Sequence, residues 1–388
     1  MNKSLNRLFI ILSVILVIGI TIASFLIFSS AKTKIKLFRH YKDKVNQVLS
    51  KKDLTENHTK MICRLMGEGK TETNEGNSWD GDLGITFNHN NQLYLLTGDT
   101  GTGDIFAPNA MAYSSDVSPS DCLDFNWSVK SNGGPKFFFP IIDPASTVPG
   151  GAISIDDTIY IFMMDVLRWE QPVIARSLLI KSDDNGQNFS TVWRDEPDSK
   201  FINISPVLGE HPSIPNKQVV YMIASGKYRE SPVYLAYVEI KDISDKTKYQ
   251  YYTGLENRLP KWSNQENLAK PIVAGVKVGE LSVQWNSYLN KWLLAFFDYN
   301  SNDMFFTTAE KFWEGWSKPK LVLKRSIKYD WYETKINKLG KQVNWNEPYA
   351  PYLLPDEFNQ NEKVYYTMSL WVPYSIFLME TDLSRLDI

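Results

Sequence analysis

The sequence is poor in the residues that build metal, thiol and nucleotide sites. Its 388 residues include only two cysteines, Cys63 and Cys122, and four histidines, and none of these form a cluster with zinc-site spacing. No G-x-S-x-G or P-loop motif occurs, which disfavours serine-hydrolase and nucleotide-dependent chemistry. We therefore expect no metal ion and no other cofactor. The two cysteines could form one disulfide, but they do not define the redox compartment.

The chain also lacks a strong charge of either sign. Its formal net charge is −2, so no basic field is available for nucleic acid, which we exclude as a partner. A sialidase needs clustered arginines for the carboxylate of its substrate, and that class is disfavoured because the arginines here are scattered. They include Arg168, Arg176, Arg194, Arg229 and Arg258.

Helical patterning is almost absent after residue 67, whereas the N-terminus is helical in character. Residues 8–28 form an uncharged apolar run that is long enough to span a bilayer. We predict a transmembrane helix or signal anchor over residues 1–30, with a cleaved signal as the alternative. A Lys-rich stalk is predicted over residues 31–66. The lysines after the span would favour a cytoplasmic flank, but a large β-domain behind an N-terminal signal is commonly exported. We expect a membrane-anchored, extracytoplasmic protein, or a secreted one if the segment is cleaved.

Aromatic residues, in contrast, are abundant. They make up 13% of the chain, with 12 Trp and 20 Tyr. Such a content suits a surface that stacks on sugar rings, although the core of a large β-protein would account for it equally well.

From residue 67 onward, one hairpin pattern recurs. Two short apolar, β-branched runs are joined by a turn of Asn, Asp or Gly, at a spacing of roughly 60 to 70 residues. Five such units predict an all-β, five-bladed β-propeller over residues 67–388, with a β-sandwich of many strands as the alternative. The hairpins are expected near residues 83–97, 151–165, 205–226, 281–297 and 346–371.

Residues 79–104 carry the sharpest functional signal. In the antiparallel hairpin predicted here, Asp82 enters the first strand and Asp99 leaves the second, so their side chains should meet at one rim. Neighbouring Cβ atoms across a sheet are roughly 5 Å apart, and retaining glycosidases hold their two carboxyl groups at roughly 5 to 5.5 Å. In the alternative interpretation both aspartates are turn residues beside glycines.

A second motif bears on the fold alone. Residues 182–189 read SDDNGQNF and fit the pattern S-x-D-x-G-x-x-F, a turn between outer strands of sialidase-like propeller blades. We expect the Asp184 side chain to bond turn amides and Phe189 to fill the blade core. Residues 307–317, which read TTAEKFWEGWS, are typical of an outer strand. We expect their side chains to pack within the blade.

Taken in order, GDLG…YLLTGDT, PGGAISI…IYIFMM, SDDNGQNF, SVQWNSYLNKWLLAF and TTAEKFWEGWSKP resemble the bacterial domain of unknown function 4185 family. The resemblance covers residue 67 to the C-terminus. It implies a five-bladed propeller, endo-acting hydrolysis of α-D-arabinofuranosyl linkages as in mycobacterial cell-wall arabinan, and catalytic aspartates in the first blade. Those positions correspond to Asp82 and Asp99 here. The basic stalk and long anchor are not expected of a typical secreted member.

Further side chains are expected at the same rim of the propeller as Asp82 and Asp99. The substrate-binding candidates are Asp165, His211, Glu280, Glu347, Trp79 and Trp285. An alternative assignment, taken from other five-bladed furanosidases, uses Asp82 as base or nucleophile, Asp165 as modulator and Glu280 as acid. A lone histidine is more often structural, and each tryptophan is more often core than ligand.

The predicted function is therefore glycoside hydrolysis by a monomer acting on a polysaccharide, with membrane contact through the N-terminal helix. Two rival functions remain: a membrane-anchored, non-catalytic carbohydrate-binding propeller, and a propeller that binds protein partners.

Overall fold

The computed structural model describes residues 58–66, 79–102, 105–128, 130–131, 134–142, 145–170, 172–325, 346–372 and 374–388. The chain divides into two units, Met1–Asn57 and His58–Ile388, and every described residue belongs to the second. The predicted membrane helix and most of the predicted stalk lie outside the described residues. Within the described residues no helix has the length and apolar character needed to cross a membrane.

The described chain is built from strands, in keeping with its short apolar runs and frequent turn residues. The strands are β1 (Thr59–Arg64), β2 (Asp80–His89), β3 (Gln92–Thr102), β4 (Ile105–Ser114), β5 (Asn126–Trp127), β6 (Lys130–Ser131), β7 (Gly134–Pro135), β8 (Ser146–Ile155), β9 (Thr158–Arg168), β10 (Ile174–Ser182), β11 (Ser190–Arg194), β12 (Asn203–Glu210), β13 (Gln218–Ser225), β14 (Ser231–Glu239), β15 (Gln250–Glu256), β16 (Leu259–Ser263), β17 (Pro271–Asn286), β18 (Lys291–Asp298), β19 (Asp303–Ala309), β20 (Lys320–Lys324), β21 (Asn346–Leu353), β22 (Lys363–Val372) and β23 (Ser375–Asp382). Short 3-10 helices cover Ile240–Asp242, Lys246–Lys248, Glu266–Leu268, Asp356–Phe358 and Leu383–Arg385.

These strands form antiparallel sheets that follow the chain. The first sheet has the order β2-β3-β4-β5, and the second has the order β11-β10-β9-β8. A nine-stranded sheet runs β12-β13-β14-β17-β18-β19-β20, with β15 and β16 attached at β14. In it β14 pairs with the early part of β17, whereas the later part of β17 pairs with β18. The last large sheet has the order β1-β23-β22-β21, and β6 and β7 form a small pair.

Five strands, β2, β8, β12, β17 and β21, contact one another in a closed ring. Bonds between them fix their direction: Thr86 donates to the carbonyl of Leu353, and the Leu353 amide donates to Ser282 Oγ. The Val283 amide donates to Ser205 Oγ. Near the strand starts, Tyr349 of β21 donates to Asp82 of β2, and Ser225, which lies opposite Asn203 of β12, donates to the carbonyl of Gly279 in β17. Near the strand ends, His89 of β2 bonds Ser154 of β8, so the ring strands begin at one end of the ring. The architecture is all-β and propeller-like, not a two-sheet sandwich.

Close packing explains why the ring strands carry long buried runs. Almost every residue of β2 and of β8 is buried, because sheets cover both faces of an inner strand. The outer strand β11 is half-buried to exposed throughout. Glycine permits the closest approach, since a Cβ on Gly151 would stand 2.1 Å from the carbonyl oxygen of Ile204.

The N-terminal boundary of the β-domain differs from the sequence-based one. The sequence predicts a stalk over residues 59–64, but these residues form β1, which pairs with β23 and completes the last sheet. The N-terminal strand thus joins the three C-terminal strands in one sheet. Cys63 of β1 forms a disulfide with Cys122, which follows β4, so the last sheet is also tied covalently to the first.

The hairpins and the turn motif are confirmed. β2–β3, β8–β9, β12–β13, β17–β18 and β21–β22 are antiparallel pairs at the predicted positions. In the motif between β10 and β11, Asp184 accepts from the side-chain amide of Asn188 at 2.8 Å, from the Asn188 backbone amide at 2.9 Å and from Ser182 Oγ at 2.7 Å. These bonds lower the pKa of Asp184 to about 2. Phe189 packs against the core beside Phe138, so the motif is structural, as expected.

Candidate active site

One end of the ring, where its five strands begin, gathers buried carboxylates; we call it the carboxylate end. Asp82 lies at the start of β2 and is only 8% exposed. The hydroxyl of Tyr349, on β21, donates to Asp82 Oδ2 at 2.8 Å. The other oxygen, Oδ1, is buried with no partner within hydrogen-bond distance among the described residues. Asp82 therefore has one oxygen held by Tyr349 and one buried oxygen without a hydrogen-bond partner among the described residues.

Asp99 lies beside Asp82, as the hairpin predicted, near the end of β3. The register places Gly98 directly opposite Asp82, and Asp99 follows with a φ of 32°, a conformation that aspartate tolerates better than most residues. Ser146, at the start of β8, donates to Asp99 Oδ1 at 3.4 Å. Asp99 is half-buried, so it is the more accessible member of the pair.

Burial raises the pKa of both carboxyl groups, and the charge of Asp99 raises that of Asp82 further. The pKa of Asp82 is raised to about 7, first by loss of solvent and then by the charge of Asp99, while the nearby hydroxyls of Tyr349 and Tyr374 lower it. The pKa of Asp99 is also raised, chiefly by burial. Two close carboxyl groups in a poorly solvated place do not both ionise readily. Asp82 is therefore a carboxylic acid for a large part of the time at neutral pH.

A third carboxylate at this end is compensated by an arginine. Glu280 of β17 is 3% exposed, and Arg229 donates to its Oε1 at 3.2 Å. The Arg229 guanidinium also lies over the rings of Tyr228, Tyr299 and Tyr349, at 4.7, 4.8 and 5.3 Å from their centroids. Cation–π contacts of this kind stabilise a poorly solvated guanidinium. Arg229 is thus fixed between Glu280 and the tyrosines that surround the pair.

Two glycines leave room for these charged groups. A Cβ on Gly98 would stand 2.7 Å from Asp82 Oδ1. A Cβ on Gly279 would stand 2.7 Å from Cγ of Arg229. Both contacts are closer than real Cβ atoms make, so a larger residue at either position would displace Asp82 or Arg229.

Asp165 plays a different part from its neighbours. It is fully buried in β9, and Arg176 on β10 donates to its Oδ2 at 3.0 Å. Thr147 Oγ1 donates to its Oδ1 at 3.0 Å. Both oxygens are occupied within the second sheet, so Asp165 has no surface that could touch substrate.

Two of the predicted substrate-binding residues lie at the other end of the ring, which we call the opposite end. His211 follows the end of β12, and Trp285 lies one residue before the end of β17. Both line a cavity of about 660 Å³ with Glu210, Arg258 and Trp292. Nδ1 of His211 accepts from the amides of residues 213 and 214, each at 3.1 Å, which makes this histidine a turn residue.

The last two predicted binding residues are placed as follows. Trp79 is fully buried in a core cluster, so no face of its ring is open to a sugar. Glu347 lies near the start of β21, at the carboxylate end, and its side chain is outside the described part of the structure. Of the eight site candidates, the structure therefore brings Asp82, Asp99 and Glu280 together. No group of three His, Cys, Asp or Glu side chains in the described residues could hold a metal ion.

Sequence reasoning missed the arginine and the tyrosines of the site. They lie at the starts of ring strands or at the exits of the strands that follow, and they are Tyr228, Arg229, Tyr299, Tyr349 and Tyr374. The positional signal was available, because the strand-entry and strand-exit rule that found the carboxylates applies equally to them. Tyrosine is so abundant in this chain that its residue type alone gave no contrast.

The comparisons with known proteins place this chain in a family. The family described as "Domain of unknown function (DUF4185)" matches residues 69–380. The chain belongs to this family. A curated relative from Mycolicibacterium smegmatis, described as "Uncharacterized 35.9 kDa protein in asd 3'region", is 28% identical over 173 residues, 40% of this chain. The match spans about half, 51%, of that relative's length.

The solved structures that align with this chain include glycoside hydrolases. A family 117 glycoside hydrolase from Zobellia galactanivorans aligns with a TM-score of 0.48 at 10% identity, covering 85% of this chain and 91% of its own. A GH43_1 enzyme from Xanthomonas citri gives 0.47 at 8%, with 83% and 90% covered. The native arabinanase Arb43A of Bacillus subtilis gives 0.42 at 9%, with 78% and 95% covered.

Proposed function

We propose that this protein is a glycoside hydrolase that cuts furanosidic linkages inside an arabinan-like polysaccharide, with Asp82 and Asp99 as its catalytic pair. The observation that carries the proposal is the chemical asymmetry of these two neighbours. Asp82 is buried, with its pKa raised to about 7, whereas Asp99 is only half-buried. Glycosidases need one protonated and one ionised carboxyl group on either side of the scissile bond.

In this mechanism Asp82 is the general acid. Its proton passes to the glycosidic oxygen as the bond from that oxygen to the anomeric carbon breaks, and the oxygen leaves as a hydroxyl. The Asp99 carboxylate supplies electrons to the anomeric carbon, either by direct attack or through a water molecule that it deprotonates. The Asp82 carboxylate that remains accepts the Tyr349 hydrogen bond. Tyr349 thereby stabilises the charge left behind by proton transfer.

Asp165 and Glu280, the modulator and the acid of the alternative assignment, fit this chemistry less well. Asp165 has both oxygens occupied by Thr147 and Arg176, and it is fully buried. Glu280 is ion-paired with Arg229 and accepts from the Tyr299 hydroxyl, so its oxygens are already engaged by its neighbours. We therefore assign Glu280 and Arg229 to holding the site in place and not to proton transfer.

We also propose that the described sheets are five blades of one propeller. The nine-stranded sheet then counts as two blades joined where β14 pairs with the start of β17, and β1 completes the fifth. This count makes the ring of five contacting strands the inner strands of five blades. The site occupies the mouth of the channel at the carboxylate end.

For the location of the protein, we propose the cell exterior, anchored to the membrane by residues 8–28. The Cys63–Cys122 disulfide supports this, because such bonds persist in oxidising compartments. The proposed substrate, a cell-wall or extracellular polysaccharide, also lies outside the cell. Cleavage of the N-terminal segment would make the same domain a secreted one.

The direct test is hydrolysis by the purified full-length protein in mild detergent. Arabinogalactan, arabinan, fructan and sialylated glycans are offered, and released oligosaccharides are separated by chromatography. We expect internal cleavage of the arabinose polymers and no release from the sialylated glycans. A folded protein that binds one of these polymers but cleaves none would instead support the carbohydrate-binding propeller.

A further inference from the structure

Two exposed tryptophans lie at the carboxylate end, on either side of the first sheet. Trp371 is in β22 of the last sheet and is 54% exposed; Trp169 directly follows β9 of the second sheet and is 40% exposed. The ring contacts of β2 are to β8 and β21, so the sheets that carry these tryptophans flank the sheet that carries the aspartates. Trp371 lies near the end of β22 and Trp169 just after the end of β9, and both strands end at the carboxylate end.

Each tryptophan is tied to the site through a tyrosine. The ring of Trp371 lies 6.4 Å from that of Tyr349, and at 5.8 Å from that of Tyr374 in an edge-to-face contact. The ring of Trp169 lies 5.6 Å from that of Tyr228, also edge to face. Tyr349 bonds Asp82, and Tyr228 packs on Arg229. The two tryptophans are therefore positioned by the same tyrosine cluster that surrounds the carboxylates.

Their exposure is not explained by folding. A large aromatic side chain contributes to stability by being buried, and an exposed one adds little. An edge-to-face contact fixes a ring while leaving a face open. Open, fixed aromatic faces bind the apolar face of a sugar ring, and they need no charge to do so.

We infer that Trp169 and Trp371 are sugar-binding platforms on opposite sides of the catalytic pair, so that the site takes an extended neutral furanose polymer across the mouth of the ring. This inference deepens the proposed function and rests on it for the identity of the substrate. It assigns the two tryptophans to polymer binding and leaves bond cleavage to the aspartates. Sugars on both sides of the cleavage point make an internal cut the expected outcome.

The experiment compares a polymer with a short substrate. Trp169→Ala and Trp371→Ala are assayed on arabinogalactan and on p-nitrophenyl α-D-arabinofuranoside, which cannot reach a distant platform. We expect kcat/KM on the polymer to fall about tenfold for each variant, as for the loss of one aromatic contact. The rate on the short substrate should stay within about twofold. Trp371→Tyr, which keeps an aromatic face, should restore most of the polymer activity.

Tyr288→Ala is the matched control. Tyr288 is an exposed aromatic residue, 46% accessible, in the turn between β17 and β18 at the opposite end. Its removal should change neither rate. Equal losses on the polymer and the short substrate would overturn the inference, because they would mean that the tryptophans only support the tyrosines. Unchanged polymer kinetics in both alanine variants would overturn it as well.

Binding separates this inference from the proposed function. Retardation of each variant in gels that contain arabinogalactan requires no hydrolysis. If the wild-type protein is retarded and never cleaves, the proposed hydrolysis fails, while loss of retardation in both tryptophan variants still supports the platforms. Cleavage of the polymer with normal retardation of both variants would leave hydrolysis standing and reject the platforms.

Discussion

The two ends of the ring carry similar residue types in opposite environments. At the carboxylate end Asp82 and Glu280 are 8% and 3% exposed, and tyrosines enclose them. At the opposite end Glu210 and Arg258 are exposed beside a cavity lined with tryptophans. Desolvation makes the difference: a carboxylate in water keeps its ordinary chemistry, whereas a buried one without a full set of partners becomes an acid near neutral pH.

The ring topology produces this contrast. At the carboxylate end, the first strand of each hairpin begins and the second strand ends. Side chains from several sheets therefore converge there. The glycines at positions 98 and 279 let charged groups approach there to distances that any side chain would prevent. At the opposite end lie the hairpin turns, and the His211 ring accepts hydrogen bonds from the amides of its own turn.

The largest expected difference between the two ends comes from removing one carboxylate at each of them. Asp82→Asn or Asp99→Asn should lower turnover on arabinogalactan by about a thousandfold or more, since each variant loses a group that acts in the transition state. Glu210→Gln should leave turnover unchanged. Full activity in both asparagine variants would remove the catalytic role of the pair, and circular dichroism would verify that each variant is folded.

The next largest effect should come from an arginine at each end. Arg229→Met leaves Glu280 buried without its ion pair, which should lower the free energy of unfolding by about 3 to 5 kcal/mol. Arg258→Met alters an exposed residue and should cost within about 0.5 kcal/mol. Urea denaturation measures both. Similar losses in the two variants would mean that the Arg229–Glu280 pair is not a special feature of the carboxylate end.

The pH dependence of stability should also differ. The pKa of Asp82 is about 7 in the folded protein against 3.8 as its ordinary value. A raised pKa favours folding below about pH 4, and this contribution is lost as the pH rises through 7. Asp82→Asn cannot ionise, so it should be more stable than the wild type by up to about 4 kcal/mol at pH 8, with the advantage shrinking towards pH 4. An advantage that is constant with pH would contradict the raised pKa.

The smallest effect concerns the hydroxyl of Tyr349. It donates to Asp82 and lowers the pKa of that carboxyl group, so Tyr349→Phe should raise this pKa. The pH at which kcat/KM falls on the alkaline side should move upward, by up to about one pH unit for the loss of one hydrogen bond. A movement to lower pH would reverse the assignment of Asp82 as the acid. Tyr221→Phe, near the opposite-end cavity, serves as the control.

Much of the fold was readable from the sequence, because hairpins are local. The turn at Asn90 and Asn91 has positive φ at both positions, as asparagine allows, and it sets the register that brings Asp82 and Asp99 together. The Asp184 turn is equally local. β1 was missed because its partner, β23, lies more than 300 residues away, and no local pattern reports such a pairing.

The candidate site divides in the same way. The sequence by itself determined the hairpins, the neighbourhood of Asp82 and Asp99 and the family, since each depends on residues close together in the chain or on their order. Only the tertiary structure decided that Arg229 pairs with Glu280. It also decided that Arg176 and Thr147 donate to both oxygens of Asp165. The positions of His211 and Trp285 at the opposite end likewise depend on it. The physical reason is that burial, and with it the pKa of a carboxyl group, depends on side chains from sheets distant in the chain, which only the closed ring brings together.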